Sequence, residues 1–187
     1  KMVIKETQRT YTYLNLYGYA TDLVVCNRII PGQVTAPFFK IWKESQQRYY
    51  TMMEEAFSPL PILKGPLLDQ EIVGLPMLRT FAQAVFGGED PTRLYYQGQA
   101  QDIRKADGHY VLSMPLPFVT REEVSLLRSG TDLVVQAGHQ RRSIILPRSL
   151  AGLKVKEAKL EDGTLRLVFE DKGPGKPEKV QKGGKRR

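Results

Sequence analysis

Along the first ninety residues apolar positions recur mostly at helical spacing, interrupted by two short runs in which successive positions are apolar. The stretch from Val3 to Tyr17 predicts a helix, with Gly18 placed as its C-cap. Asp22 then precedes Leu23-Val24-Val25-Cys26, a β-branched run of the kind found in parallel strands buried on both faces, and Asn27-Arg28 follows it. Residues 36–57 predict a second helix with Pro37 in its first turn, and its Phe39, Trp42, Tyr49, Met53 and Phe57 are expected to form one core-facing stripe. Ser58-Pro59-Leu60-Pro61 breaks that helix, Ile62 to Leu68 is extended, and Leu75 to Phe86 reads as a third amphipathic helix stopped by Gly87-Gly88. Helix, strand, helix, strand, helix is a piece of an α/β layer, in which crossover helices join parallel strands. Two strands make a poor sheet, so its other strands are expected to come from elsewhere.

From Leu94 the rhythm changes to short strands separated by turn signals, with Asp107-Gly108 and Asp162-Gly163 as tight turns. Seven strands are expected, at about Tyr95–Lys105, His109–Met114, Val124–Arg128, Leu133–Gln136, Arg141–Leu146, Val155–Leu160 and Thr164–Phe169. They make an antiparallel sandwich. Asp90-Pro91 and the polar run from Thr92 form the hinge, so the expected division is 1–92, 93–172 and a tail at 173–187.

Charge sharpens the reading of that tail. From Lys172 onward seven Lys or Arg face the single Glu178, and removing this +6 from the net +8 leaves +2 for the other 171 residues. The tail, rich in Gly, Pro and Lys and nearly free of apolar side chains, is expected to be disordered. Its plain role is a solubilising terminus, and no specific nucleic acid is expected as a partner. No apolar run approaches the ~18 residues of a membrane span, so the chain reads as soluble. The single Cys26 can form neither an internal disulfide nor a thiolate metal cage, which fits a reducing cytoplasm. Lys1 runs straight into the first helical pattern without a cap, which suggests that sequence upstream has been cut away.

Several chemistries are missing. The chain has no GxxxxGK[ST] loop to wrap phosphates, and Gly173-Pro174-Gly175-Lys176 continues into Pro177 within the tail. His109 and His139 have no acidic or thiolate partner at ligand spacing, and no serine sits in a Gly-x-Ser-x-Gly elbow. What remains is the carboxyl end of the first strand, where α/β sheets bind ligands. Asn27 stands there with an amide that offers both donors and an acceptor, the complement of a purine edge. From spacing alone, the plainer reading is that it bonds its own loop backbone.

Glu6-x-x-Arg9, Leu14, Leu23-Val24-Val25-Cys26-Asn27-Arg28, Gln47-x-x-Tyr50, Pro66-Leu67-Leu68 and Glu71-x-x-Gly74, in that order, resemble the C-terminal half of the ArsA family. That family contains arsenite-pump ATPases and the targeting ATPases of tail-anchored membrane proteins. The resemblance spans roughly Met2 to Asp90. It implies that Asn27, Pro66 and Leu67 contact the adenine of ATP and that Glu71 and Gly74 shape the loop beneath the base. It further implies that the phosphate loop and magnesium ligands lie in an N-terminal half missing here, so the parent is an ATPase and this chain is inactive alone. No Cys stands between Asn27 and Gln47, where the eukaryotic targeting branch carries its zinc-binding Cys-x-x-Cys, so no zinc is expected and a bacterial or plastid-type protein is implied.

The second module is similar to the α-crystallin domain of small heat-shock proteins, on Leu116-Pro117-x-x-x-x-Glu122-Glu123-Val124, Arg142-x-x-x-Leu146-Pro147 and Ala158-x-x-x-Asp162-Gly163-Thr164-Leu165. The fold class expected is therefore a partial P-loop NTPase-type α/β layer followed by an all-β antiparallel sandwich of α-crystallin type. Partners implied are the missing N-terminal half, a second copy in a homodimer, and a membrane protein or client held by the β-domain, for instance by β-addition at an edge strand. The alternative function is a chaperone-like or docking module.

Overall fold

The computed structural model describes residues 2–106 and 108–170. Lys1, Asp107 and the basic tail with its Gly173–Lys176 run lie outside the described residues. Helix α1 covers Met2–Tyr17 and ends in a Schellman pair, the Tyr19 N–H donating to Leu14 O at 2.8 Å and the Gly18 N–H to Asn15 O at 3.0 Å. That closure requires a left-handed residue, and Gly18 has φ 84°. Strand β1 (Val24–Ile29) pairs in parallel with β2 (Ile62–Pro66), joined through helix α2 (Lys40–Phe57), and α3 (Gly74–Phe86) follows.

On α2, Tyr50, Met53 and Phe57 are buried with Leu60 and pack against Val24, Cys26, Ile29 and Ile62. The expected aromatic stripe is corrected at its start, since Trp42 is 62% exposed. The inward face instead begins with polar side chains. Lys43 Nζ donates to Gly32 O and Val34 O at 3.0 and 3.1 Å, while Gln46 Oε1 accepts the Ile30 N–H at 2.8 Å. Positions 43, 46, 50, 53 and 57 form one heptad-spaced face, and Trp42 stands about 60° from its centre, at the edge of the stripe beyond Met53. Burial of the first strand on both faces is also corrected, because Val25 is 41% exposed. Its face of the sheet is shared with Leu63 and Gly65, and α3 lies over β2 rather than β1.

The other seven strands are β3 (Asp102–Ala106), β4 (His109–Pro115), β5 (Val124–Ser129), β6 (Asp132–Ala137), β7 (Gln140–Ile145), β8 (Val155–Glu161) and β9 (Thr164–Phe169). They form two antiparallel sheets, ordered β3-β4-β9-β8 and β5-β6-β7. Alternate residues of both sheets meet in a core that includes Leu112, Met114, Val135, Leu167 and Phe169. The β8–β9 turn has positive φ at both Asp162 (48°) and Gly163 (65°), as a tight Asp-Gly hairpin demands. The first of these strands starts at Asp102 rather than Tyr95. To pair further back it would need β4 residues beyond Ser113, where Pro115 and Pro117 have no N–H to offer. The Tyr95 N–H instead donates to Asp22 Oδ2 at 3.4 Å, and Tyr96 packs against the α2 cluster.

A short helix α4 (Arg148–Ala151) was not expected. Arg128 holds its end, donating through Nη2 to Leu150 O and Ala151 O at 3.1 and 2.7 Å and through Nη1 to Leu153 O. The same guanidinium lies over the Phe169 ring.

The two parts share α1. Leu16, fully buried, belongs to the β-sandwich core, whereas Ile4 and Tyr11 pack against the α2 cluster. Thr12 Oγ1 donates to Pro117 O, Tyr17 Oη to Gln140 Oε1 at 2.8 Å and Arg142 Nη1 to Leu16 O at 2.8 Å. Arg142 thereby satisfies a carbonyl that the helix end leaves free.

Candidate functional site

The carboxyl ends of β1 and β2 open onto a cavity of about 600 Å³ lined by Asn27, Arg28, Pro66, Leu67, Glu71 and Val73, among others. Four of the five expected site residues therefore meet in one place. The fifth, Gly74, follows Val73 directly and begins α3 with φ 74°. This turn brings the segment after β2 back past the strand ends, and a side chain at Gly74 would be strained there.

The geometry of Asn27 follows from an irregularity in β1. The parallel register slips between Cys26 and Ile29, and Arg28 between them has φ 59°. Asn27 Oδ1 accepts the Arg28 N–H at 2.7 Å, as the plainer reading expects. That bond uses one of the four hydrogen-bonding positions of the amide. Nδ2 makes no hydrogen bond among the described residues, and the second lone pair of Oδ1 is left for an acceptor role. The side chain is exposed and held by its own backbone, which fixes the amide without consuming it. Behind it, the Leu67 N–H donates to Ile29 O at 2.8 Å and Gln46 grips Ile30, so both strand ends are pinned.

Gly65 was not singled out by the sequence reading. A Cβ at this position would come within 2.9 Å of the Phe81 ring and 3.0 Å of Asn27 Oδ1. A larger residue here would force the Phe81 ring of α3 to shift and would crowd the Asn27 amide. The available signal was an isolated glycine inside a strand pattern, which marks a close approach.

Cys26 precedes the site and is half-buried. Burial pushes its thiol pKa up, partly offset by the nearby Lys64 ammonium, so it remains a thiol at neutral pH rather than a nucleophilic thiolate. Lys64 Nζ also sits 4.1 Å from the centroid of the Tyr50 ring. Among the described residues no group of three or more His, Cys, Asp and Glu could hold a metal ion. His139 is exposed and His109 half-buried, on separate parts of the sandwich. No helix of the described residues is long and apolar enough to cross a membrane.

A parallel strand pair with a ligand-sized cavity at its carboxyl ends, continued by a seven-stranded antiparallel sandwich, defines an α/β layer with an all-β domain attached. The family model described as anion-transporting ATPase matches residues 1–87, and that of the HSP20-like domain found in ArsA matches residues 107–169. The chain belongs to the ArsA family, as an ArsA-like ATPase fragment that carries an HSP20-like domain. It is 40% identical over 171 residues to a Prosthecochloris vibrioformis protein and 38% identical over 170 residues to one from Chlorobaculum tepidum, each named "Putative arsenical pump-driving ATPase". In both cases 91% of this chain aligns, but the chain spans only 42% of the relative's length. Among solved structures, the small heat shock protein AgsA of Salmonella typhimurium, truncated at its C-terminus, aligns with 43% of this chain and 94% of its own at 24% identity, with a TM-score of 0.33. A small heat-shock protein from Xylella fastidiosa aligns with 45% of this chain and 94% of its own at 19% identity and a TM-score of 0.36. Scores of that size add no argument to the strand topology.

Proposed function

We propose that this chain supplies the adenine-binding edge of an ArsA-type ATPase, with the β-sandwich as its accessory domain. The observation that carries the proposal is the convergence of Asn27, Pro66, Leu67 and Glu71 on one cavity at the strand ends. Asn27 Nδ2 donates to a ring nitrogen of the base and Oδ1 accepts from the exocyclic amine. Pro66 and Leu67 present apolar surface to the face of the ring, while Glu71 and Gly74 shape the loop beneath it. In the whole enzyme, Mg-ATP is hydrolysed by the phosphate loop and magnesium ligands of the N-terminal half, and this chain, which has no GxxxxGK[ST], is inactive alone. We place the division of the chain at 92/93, with α1 bridging it.

Asn27→Ala in the whole ATPase removes the polar pair that holds the base. An interaction of about 1–2 kcal/mol corresponds to a rise in KM for ATP of roughly tenfold. The turnover number should change little, since the base is remote from the bond that breaks. Steady-state kinetics check this, and an unchanged KM sinks the assignment.

A second reading, a docking or chaperone-like role for the β-domain, is favoured by Leu127 and Ile145. They are 65% and 79% exposed and stand on the outer face of the β5-β6-β7 sheet. Single exposed apolar residues are common, and two on one sheet face suit a partner or client surface. If this reading holds, the double variant Leu127→Glu, Ile145→Glu abolishes suppression of client aggregation by the whole chain. Suppression that survives both charges contradicts it.

A further inference from the structure

Three aromatic rings close a triangle where the two parts of the chain meet. Tyr11 comes from α1, Phe57 from the end of α2 and Phe118 from the loop after β4, with centroid separations of 6.0 Å (Tyr11–Phe57), 6.3 Å (Tyr11–Phe118) and 5.7 Å (Phe57–Phe118). Phe57 is 1% exposed, in the cluster that packs Val24, Cys26 and Ile29 of β1, the strand that carries Asn27. Phe118 belongs to the β-domain side, and its φ of 66° lies in the left-handed region that bulky side chains avoid. The loop is also tied to α1, because Thr12 donates to the carbonyl of the neighbouring Pro117.

We infer that the β-domain senses occupancy of the base pocket, and that the Tyr11–Phe57–Phe118 triangle carries the signal. The inference rests on the adenine reading above. A packed cluster has discrete arrangements rather than a continuous range of them. A base held by Asn27 fixes the end of β1, and through it the side of the cluster on which Phe57 sits. The Phe118 ring is 41% exposed and forms the outer corner of the triangle, and its unfavourable backbone conformation is kept while its inner face rests against Tyr11 and Phe57. A shift of Phe57 frees the ring, the backbone relaxes to negative φ, and the loop between β4 and β5 changes its hold on α1. Strained residues of this kind mark switch regions when the surrounding packing holds them in place. The β-domain is thereby a nucleotide-responsive part of the ATPase rather than a passenger.

Hydrogen–deuterium exchange on the whole ATPase, with and without a non-hydrolysable ATP analogue, tests the relay. The analogue should slow exchange across residues 116–124 by about threefold or more. Phe118→Gly removes the ring and relieves the positive φ, so it should abolish that response while leaving analogue affinity within about twofold. Phe118→Leu, which keeps an apolar side chain in the strained backbone, should retain part of it. Should Phe118→Gly fail to fold, Tyr11→Leu opens the triangle from the other side and must also blunt the response. Binding of the analogue with no change in exchange at 116–124, or a full response in Phe118→Gly, overturns the relay. The same exchange measurement on Asn27→Ala separates the two readings: a response at 116–124 that is unchanged in that variant overturns the base assignment and with it the relay that starts there, whereas base binding that depends on Asn27 without any response at 116–124 overturns the relay alone. An ATPase that binds no analogue at all overturns both.

Discussion

Phe57→Ala lowers the stability of the chain by about 4 kcal/mol, within the range measured for large-to-small changes at buried aromatic sites. Phe57 lies at the centre of the α2 cluster and touches both Tyr11 and Phe118, so its removal opens a cavity and deletes two ring contacts together. Each ring contact contributes roughly 0.5–1.5 kcal/mol beyond area burial. Phe57→Leu restores most of the volume without the ring geometry and should cost clearly less. Urea unfolding of the three proteins checks the order. A cost under about 1 kcal/mol for Phe57→Ala, the level of ordinary surface changes, would mean that the layer does not pack as described.

Leu16→Ala costs about 3 kcal/mol, and it does so in the β-sandwich although Leu16 belongs to the ATPase segment of the sequence. The side chain is fully buried among residues contributed by both sheets. A chain of this length loses roughly 2–4 °C in Tm per kcal/mol, so the expected fall is about 10 °C. Leu14 sits on the same helix but is exposed, and Leu14→Ala should change Tm by no more than about 2 °C. Thermal melts followed by circular dichroism separate the two. If Leu16 and Leu14 behave alike, α1 is not part of the β-core.

These two residues also show how far the sequence reaches. The alternation of apolar and polar positions located all seven strands of the sandwich, and Asp162-Gly163 announced its turn, because periodicity and turn chemistry are local properties. The helix of residues 2–17 was legible for the same reason. Its double allegiance was not. Leu16 and Tyr11 both read as apolar positions on one amphipathic helix, and nothing local distinguishes a residue that meets a sheet 100 positions later from one that meets its neighbour in the chain. Trp42 misled in the opposite direction, since its size argued for the core while the inward face of that turn is taken by Lys43 and Gln46, whose partners are backbone groups of a loop. For the site, Asn27, Pro66, Leu67, Glu71 and Gly74 came from family resemblance, and spacing alone left Asn27 as a loop residue. Gly65 and the Arg28 backbone, which set the direction of the Asn27 amide, depend on a close approach between β2 and α3 that emerges only in three dimensions.

The central claim is that the strand-end cavity recognises the base. Competition between ATP and GTP for the whole ATPase, measured for the native protein and for Asn27→Ala, addresses it most directly. Guanine places a carbonyl where adenine has its amine, so Asn27 in the geometry described favours ATP, and the discrimination should fall by about tenfold in the variant. An ATP-to-GTP preference that is the same in both proteins would contradict the account.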